Sequence, residues 1–219
     1  MPIVAMGGYP EERLRAYVLG LVQKERPRLM YVGTAQMEDP RATLAVFEAF
    51  RGRAELSQLE FRPWPPSDLR ASTLGQDLIL VGGGNTANML AVWRAHGFDD
   101  VLREAWAEGV VLTGWSAGAI CWFEAGVTDS FGPQLEGMRD GLGFLSGSAC
   151  PHYDGEKLRR PRYTELVRGG FPGGIAIDDD VAVRFDGTEL TEVVTSRGGA
   201  AAYRVTSGGE ERLEARPLS

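Results

Sequence analysis

Short apolar runs alternate with amphipathic segments along the first half of the chain. The runs Ile3–Met6, Leu29–Val32 and Asp77–Val81 are rich in aliphatic and β-branched residues, which predicts buried strands. Between them, apolar residues recur at helical spacing after Pro10 and Pro40, and proline is favoured in the first turn of a helix. Strands that alternate with helices predict right-handed βαβ crossovers and a largely parallel, doubly wound sheet.

The same alternation continues to residue 113. It predicts a strand at Glu55–Phe61, helices at Thr86–Ala95 and Asp99–Ala107, and a further strand at Val110–Thr113. Pro63-Trp64-Pro65-Pro66 excludes regular structure, because proline has no backbone N–H and a fixed φ angle. This proline-rich segment is therefore predicted to be a rigid loop.

The pattern changes in the second half of the chain. Glu124–Asp140 is glycine-rich and irregular, which is typical of a surface loop near a site. Gly155–Arg168 predicts a helix, which Pro161 must kink or start late. Further on, the apolar positions have the period of strands, predicted at Ile175–Ile177, Val181–Phe185, Glu192–Thr195 and Ala201–Val205. We therefore predict one α/β domain over residues 1–219 with a strand-rich C-terminal third.

The composition matches an ordinary globular protein, with 43% hydrophobic and 24% charged residues in a chain of 219. A net charge of −7, without a long basic stretch, disfavours nucleic acid or an anionic membrane as partner. No apolar run is long enough to cross a membrane, the first residues lack the features of a signal peptide, and two cysteines are too few for a disulfide framework. We therefore expect a cytoplasmic protein with reduced thiols.

A single serine stands in a glycine-flanked segment, Gly114-Trp115-Ser116-Ala117-Gly118-Ala119, that joins a predicted strand to the helix-compatible stretch Ala119–Phe123. Gly-x-Ser-x-Gly between a strand and a helix is the nucleophile elbow, a turn too tight for side chains at its two glycines. The turn holds the Ser116 hydroxyl above the sheet edge and aims the N–H of Ala117 at the bond under attack. The pattern alone is also compatible with a helix packed closely on a strand.

A nucleophilic serine needs a base within hydrogen-bond reach, normally a histidine, and the chain contains only His96 and His152. His96 ends a predicted helix, where a histidine commonly caps carbonyl groups. His152 follows a predicted strand, and catalytic groups of an open parallel sheet gather at the carboxyl ends of its strands. We therefore predict that His152 is the base. The alternative for His152 is a loop histidine bonded to the backbone.

The third member of a triad orients the imidazole and stabilises its charged form, so it should be a carboxylate. Asp178-Asp179-Asp180 supplies three candidates at the end of a predicted strand, and Asp154 and Asp129 are further candidates. The alternative interpretation of the aspartate run is an acidic turn.

The turn Gly82-Gly83-Gly84-Asn85 follows a buried strand. It lacks the Lys-Ser/Thr of a P-loop and the third spaced glycine of a dinucleotide fingerprint. We interpret it as the source of a backbone N–H that forms an oxyanion hole together with that of Ala117. Cys150 and His152 are close in sequence, but the two cysteines and two histidines have no zinc spacing. We expect neither a metal nor a cofactor.

Four motifs, in this order, resemble the peptidase E (α-aspartyl dipeptidase) family, to which the cyanophycinases are related. They are Val81–Thr86, Gly114–Ala119, Pro151–Tyr153 and Ile177–Asp180. The resemblance extends from about Ile3 to about Val205. It implies a flavodoxin-like fold related to class I glutamine amidotransferases, with serine in place of their cysteine.

The resemblance also implies roles by position. Ser116 corresponds to the nucleophile and His152 to the base. Gly84 and Ala117 correspond to the oxyanion-hole donors, and Asn85 belongs to the same loop as Gly84.

Two positions depart from the family's pattern. Where the family has a glutamate in the triad, the aligned residue is Asp179, one methylene shorter. Where it has a basic residue that recognises an N-terminal aspartate, Leu158 stands near that place. Three arginines lie close by but out of register: Arg159, Arg160 and Arg162. The candidate substrate-binding residues are Asn85, Tyr153, Asp154, Arg159 and Arg160.

We therefore expect a serine exopeptidase, of dipeptidase or aminopeptidase type, that hydrolyses short peptides through Ser116, His152 and Asp179. The resemblance implies a preference for an N-terminal aspartate. The alternatives are a cyanophycinase-like β-aspartyl isopeptidase, an esterase or a non-catalytic binding module. A small peptide is the expected partner, and the sequence leaves a homodimer open.

Overall fold

The structure, a computed structural model, describes all of residues 1–219 and contains two β-sheets with helices packed around them. The helices are α1 (Glu12–Gly20), α2 (Pro40–Phe50), α3 (Leu69–Leu74), α4 (Thr86–Ala95), α5 (Phe98–Ala107), α6 (Ala117–Ile120) and α7 (Arg159–Arg168). The first seven strands are β1 (Pro2–Met6), β2 (Arg28–Val32), β3 (Glu55–Leu59), β4 (Leu78–Val81), β5 (Val111–Trp115), β6 (Phe123–Thr128) and β7 (Glu136–Met138). The others are β8 (Leu145–Cys150), β9 (Gly174–Ile177), β10 (Val181–Asp186), β11 (Glu189–Thr195), β12 (Ala202–Thr206), β13 (Gly209–Leu213) and β14 (Arg216–Pro217).

The larger sheet has the order β14-β11-β10-β1-β5-β4-β2-β3. Strands β1, β5, β4, β2 and β3 are parallel, and β10 and β11 extend the sheet in antiparallel pairing. Alternate residues of its strands enter two separate cores: Ile3 packs in the core that contains α4 and α5, and Val4 in the core that contains α1 and α2. The mixed α/β fold with a doubly wound, mostly parallel sheet is therefore confirmed.

The elements of the first half lie within two residues of their predicted bounds. The proline-rich segment is a loop, as predicted. The short helix α3 has no counterpart among the predicted elements. No helix is long and apolar enough to cross a membrane.

The second sheet has the order β13-β12-β9-β8-β6-β7 and contains strands that the sequence did not reveal. The predicted loop Glu124–Asp140 is wrong for residues 124–128 and 136–138, which belong to β6 and β7, whereas residues 129–135 between these strands are irregular, as predicted. Ala125 and Val127 are buried, and β6 pairs with β8 in parallel and with β7 in antiparallel orientation. The backbone of this glycine-rich segment is satisfied by distant strands, which local sequence patterns do not report.

The helix that follows Ser116 is shorter than predicted. The prediction of a helix-compatible stretch at Ala119–Phe123 is wrong beyond Ile120, because α6 is a single turn and Phe123 begins β6. The carbonyl of Trp122 accepts hydrogen bonds from the N–H groups of residues 144 and 145, both at 2.9 Å. The carbonyl that would accept a hydrogen bond within a longer helix is thus bonded to residues distant in sequence.

The helix predicted at Gly155–Arg168 begins later, at Arg159. Pro161 lies in its first turn, where a missing N–H costs no helical hydrogen bond. The residues between His152 and Arg159 form turns at the carboxyl end of β8.

Candidate active site

Ser116 lies directly after β5, at the carboxyl edge of the parallel strands, and its side chain is partly exposed. Its backbone angles are φ 53° and ψ −114°, a strained conformation for a residue with a side chain. A Cβ at Gly118 would lie 2.3 Å from the carbonyl oxygen of Val81, and one at Gly114 would lie 2.4 Å from the carbonyl oxygen of Gly118. Both glycines are therefore required for the turn that presents the Ser116 hydroxyl.

His152 and Asp179 are joined by a hydrogen bond of 2.7 Å between Nδ1 and Oδ1. His152 follows β8 with φ 54°, and Asp179 follows the neighbouring strand β9. The hydrogen bond with His152 is the main cause that holds the pKa of Asp179 below its usual range. A carboxylate bound to Nδ1 leaves Nε2 of the same ring available for a serine hydroxyl.

The segment after β1 connects the elbow to this pair. The carbonyl of Met6 accepts a hydrogen bond of 3.2 Å from the N–H of Ser116. Two residues later, a Cβ at Gly8 would lie 2.5 Å from Oδ1 of Asp179. The elbow and the His152–Asp179 pair therefore belong to one site, built from both sheets. The Ser116 hydroxyl itself makes no side-chain hydrogen bond in the structure, and such bonds often tighten only with substrate.

Each residue of the aspartate run has a different partner. Asp178 is buried, accepts a hydrogen bond of 3.0 Å from the N–H of Ala201, and has its pKa raised by burial. Asp180 accepts a hydrogen bond of 3.0 Å from Arg197 Nε. Asp179 is the one that bonds His152, whereas the side chain of Asp129 is exposed and bonds no residue.

The loop after β4 lies against the elbow. A Cβ at Gly83 would lie 3.2 Å from Cβ of Ser116. Gly84 has φ 126°, and a Cβ there would lie 2.2 Å from the carbonyl oxygen of Ala35, so only glycine fits. The N–H of Gly84 makes no hydrogen bond, and that of Ala117 begins α6, where it has no partner within the helix. Both N–H groups are thus available for an oxyanion.

Asn85 has a structural role in the same loop. Its Oδ1 accepts a hydrogen bond of 2.9 Å from the N–H of Asn88 and caps α4. Its Nδ2 donates a hydrogen bond of 2.9 Å to the carbonyl of Ser130, in the loop after β6. Both ends of the amide are therefore bonded to protein, and the predicted substrate contact of Asn85 stays a prediction.

Tyr153 and Arg160 are also engaged elsewhere. Tyr153 is buried and donates a hydrogen bond of 2.5 Å to Glu210 Oε1, and burial raises its pKa. Arg160 pairs with Glu210 Oε2 at 2.6 Å, and its guanidinium lies over the rings of Tyr153 and Tyr203. The structure thus places these two predicted substrate contacts in a packing cluster with β12 and β13.

Arg159 differs from its neighbours because it is only 3% exposed. Its Nε donates to Glu156 Oε2 at 2.6 Å and its Nη1 to the carbonyl of Val127 at 3.0 Å, while Nη2 makes no hydrogen bond. Its charge is close enough to contribute to the lowered pKa of Asp179. Leu158, which stands nearest to the family's basic position in sequence, is 72% exposed. The buried cation beside the site is therefore Arg159.

Sequence reasoning missed Arg197 and Gly155. Arg197 bonds Asp154, Asp180 and the carbonyl of Asp179. A Cβ at Gly155 would lie 1.9 Å from Oδ2 of Asp179. Neither residue belongs to a motif, so no local signal in the sequence could have identified them.

The two cysteines are buried away from solvent, and burial raises the pKa of Cys150 to about 12. A thiol with so high a pKa is a poor nucleophile at neutral pH. The structure contains no cluster of three or more His, Cys, Asp or Glu side chains placed to hold a metal ion. The serine elbow and the His152–Asp179 pair are therefore the groups on which a nucleophilic mechanism can be built.

Residues 3–193 match the model of peptidase family S51. The chain is 45% identical over 220 residues to the uncharacterized peptidase YgaJ of Bacillus subtilis, with 97% of this chain and 95% of the relative covered.

Two crystal structures share the fold. A peptidase from an acI-B1 actinobacterium has a TM-score of 0.72 at 18% identity, with 98% of this chain and 94% of that chain covered. A putative peptidase E protein from Listeria monocytogenes has a TM-score of 0.67 at 17% identity, with 97% and 98% covered. The chain belongs to peptidase family S51, the peptidase E family, and is a serine-type peptidase.

Proposed function

We propose that the chain is a serine exopeptidase that hydrolyses short peptides through Ser116, His152 and Asp179. The observation that carries the proposal is the 2.7 Å bond from His152 to Asp179 beside a strained serine elbow. A general base held by a carboxylate near a partly exposed nucleophile is the arrangement that acyl transfer requires.

In the proposed mechanism, Ser116 Oγ attacks the carbonyl carbon of the scissile bond while His152 Nε2 takes its proton. The resulting oxyanion accepts hydrogen bonds from the N–H groups of Gly84 and Ala117. His152 then gives the proton to the leaving amine, and an acyl-enzyme on Ser116 remains. Water then attacks this ester while His152 takes one of its protons. His152 passes that proton to Ser116 Oγ as the bond between the acyl carbon and Oγ breaks, which releases the N-terminal product and regenerates Ser116.

We further propose that Arg159 supports a preference for an N-terminal aspartate. Its guanidinium is buried, yet Nη2 has no hydrogen-bond partner. A largely buried guanidinium with one unbonded nitrogen suits a substrate carboxylate, because charge-assisted hydrogen bonds are stronger than neutral ones. The ion pair with Glu156 fixes the side chain of Arg159 before substrate binds.

The test is hydrolysis of X-Leu dipeptides and X-p-nitroanilides by the wild-type chain, by Ser116→Ala and by Ser146→Ala. Ser146 is exposed in β8 and is the matched control. We expect X = Asp to be cleaved best, Ser116→Ala to retain only residual activity, and Ser146→Ala to match the wild type. In Arg159→Met, the preference for Asp over Ala at X should disappear.

Other outcomes decide between the alternatives. Cleavage of non-aspartyl peptides alone would keep the serine mechanism and overturn the role of Arg159. Cleavage of β-Asp-Arg or p-nitrophenyl esters, with all α-peptides left intact, would replace the exopeptidase with an isopeptidase or an esterase. If a serine-directed fluorophosphonate labels neither the wild-type chain nor the variants, the proposed catalysis is wrong and a binding module takes its place.

A further inference from the structure

Arg197 lies in the turn after β11, outside the motifs that resemble the family. Its guanidinium bonds three groups of the site. Nε donates to Asp180 Oδ2 at 3.0 Å, and Nη2 donates to Asp154 Oδ2 at 2.5 Å and to the carbonyl of Asp179 at 2.9 Å. One side chain therefore connects the loops that follow β8 and β9.

Asp154 completes this network from the other side. Its second oxygen, Oδ1, accepts a hydrogen bond of 2.9 Å from the N–H of Asp179. The backbone N–H and C=O of Asp179 are thus both held by side chains, one from the loop of His152 and one from the turn after β11.

The turn that carries Arg197 is itself fixed to the end of the aspartate run. The N–H of Ser196 and the hydroxyl of Thr195 both donate to the carbonyl of Asp180, at 3.1 and 3.0 Å. Thr195 Oγ1 also accepts a hydrogen bond of 3.1 Å from the N–H of Arg197. The guanidinium therefore extends from a braced backbone, even though the Arg197 side chain is 44% exposed.

An aspartate has a single methylene between its backbone and its carboxylate, so the position of the backbone decides where the carboxylate lies. The space in which the Asp179 carboxylate can move is small. The backbones at Gly8 and Gly155 approach so closely that a Cβ would lie 2.5 and 1.9 Å from its carboxylate oxygens. Arg197 also pairs with Asp154 and Asp180, and its charge contributes to the lowered pKa of Asp179.

We propose that Arg197 and Asp154 form a clamp that positions Asp179 against His152. The clamp rests on the proposed function, because it acts through the proposed triad. Arg197 and Asp154 are positioning residues: they hold the backbone of the carboxylate that orients the catalytic imidazole.

The clamp predicts an effect on kcat rather than on KM, because Arg197 acts through Asp179 and makes no contact with the nucleophile. When it is broken, the imidazole loses its fixed orientation while the substrate pocket stays intact. Misplacement of a catalytic group by about 1 Å costs up to about a hundredfold in rate. We therefore expect kcat to fall about tenfold to a hundredfold in Arg197→Gln, with KM within about twofold of the wild type.

The experiment compares Arg197→Gln, Arg197→Lys and Asp154→Asn with the control Arg204→Gln. Arg204 is exposed on β12 and makes no side-chain hydrogen bond or ion pair. The first readout is the far-downfield proton resonance of the His152 Nδ1–H, which requires the bond to Asp179 and no substrate. The second readout is kcat and KM on the best substrate of the peptide panel. Thermal unfolding verifies that each variant is folded.

Loss of the resonance in Arg197→Gln and Asp154→Asn, partial recovery in Arg197→Lys and no change in Arg204→Gln would support the clamp. Persistence of the resonance in folded Arg197→Gln and Asp154→Asn would overturn it. A rise in KM at constant kcat would also overturn it, because Arg197 would then bind substrate. If Arg197→Gln does not fold, Asp154→Asn decides, since the amide keeps the shape of the carboxylate. If no peptide of the panel is cleaved, the resonance can still be measured, because it needs no substrate. The clamp and the proposed peptidase function can therefore be refuted independently.

Discussion

At the residue scale, three consecutive aspartates do three different things. Asp178 accepts a hydrogen bond from the N–H of Ala201. Asp179 forms a hydrogen bond with His152, and Asp180 accepts one from Arg197. The run therefore persists despite the repulsion between like charges, because each carboxylate has its own donor. Only Asp179 is in contact with the imidazole, and its lowered pKa keeps it charged below the ordinary aspartate range.

Asp179→Asn is expected to lower kcat by about three to four orders of magnitude. The amide presents an N–H to Nδ1 of His152, which moves the ring proton to Nε2 and leaves no base for Ser116. The measurement is kcat on the best peptide of the panel. Asp129→Asn is the control, because that side chain is exposed and bonds nothing. A large loss in the control with little loss in Asp179→Asn would contradict this assignment.

The sequence predicted the chemical groups of the candidate site, but not the residues that hold these groups in place. Ser116 and His152 were predicted from motif and strand position, whereas the residues alone left the three aspartates open and only the resemblance indicated Asp179. The side chains that follow His152 could not be ranked from sequence. Arg159 is buried and Arg160 covers a tyrosine because the late start of α7 sets the direction in which each points.

At the element scale, the loops at the carboxyl edge are held by caps and cross-links. The side-chain oxygen of Asn85 caps α4. Its nitrogen donates a hydrogen bond to the carbonyl of Ser130 in the loop after β6. The side chain of Ser130 continues this link, since its hydroxyl accepts a hydrogen bond of 3.3 Å from the N–H of Ala87. The loop after β4 is therefore fixed at its junction with α4.

Asn85→Ala should lower the free energy of unfolding by about 1 kcal/mol, the usual contribution of an N-cap side chain. Urea unfolding of the wild type and the variant measures this difference. Asn88→Ala is the matched control, because its side chain is exposed on the same helix and makes no hydrogen bond. An equal fall in the free energy of unfolding of both variants would show that the N-cap hydrogen bond of Asn85 does not stabilise the fold.

At the scale of the whole molecule, ion pairs at the opposite edge link distant segments. Asp77, just before β4, accepts hydrogen bonds from Lys24 Nζ at 2.8 Å and from the N–H of Arg28 at 2.9 Å. Burial alone would raise the pKa of Asp77, but these donors outweigh it and lower the pKa to about 2.

A carboxyl with a pKa below its unfolded value stabilises the fold above that unfolded value, and the contribution disappears as pH falls through the folded pKa. For Asp77, this window runs from about pH 4 down to about pH 2. Asp77→Asn should therefore weaken the pH dependence of stability in that window, as measured by acid titration of the circular dichroism signal. Asp140→Asn, which removes an exposed ion pair, should change it little. An unchanged acid transition in Asp77→Asn would refute the prediction.

The sequence by itself determined the alternating elements of the first half, the serine elbow and the glycine turn that faces it, because these depend on local periodicity and on backbone conformations that only glycine adopts. Tertiary structure decided the rest. Residues 124–128 form a strand because β8 supplies its hydrogen bonds, and Asp179 contacts His152 because β9 ends beside β8. Arg197 reaches the site from the turn after β11, far along the chain from His152. Contacts over such distances follow from how two sheets pack, and no local pattern encodes them.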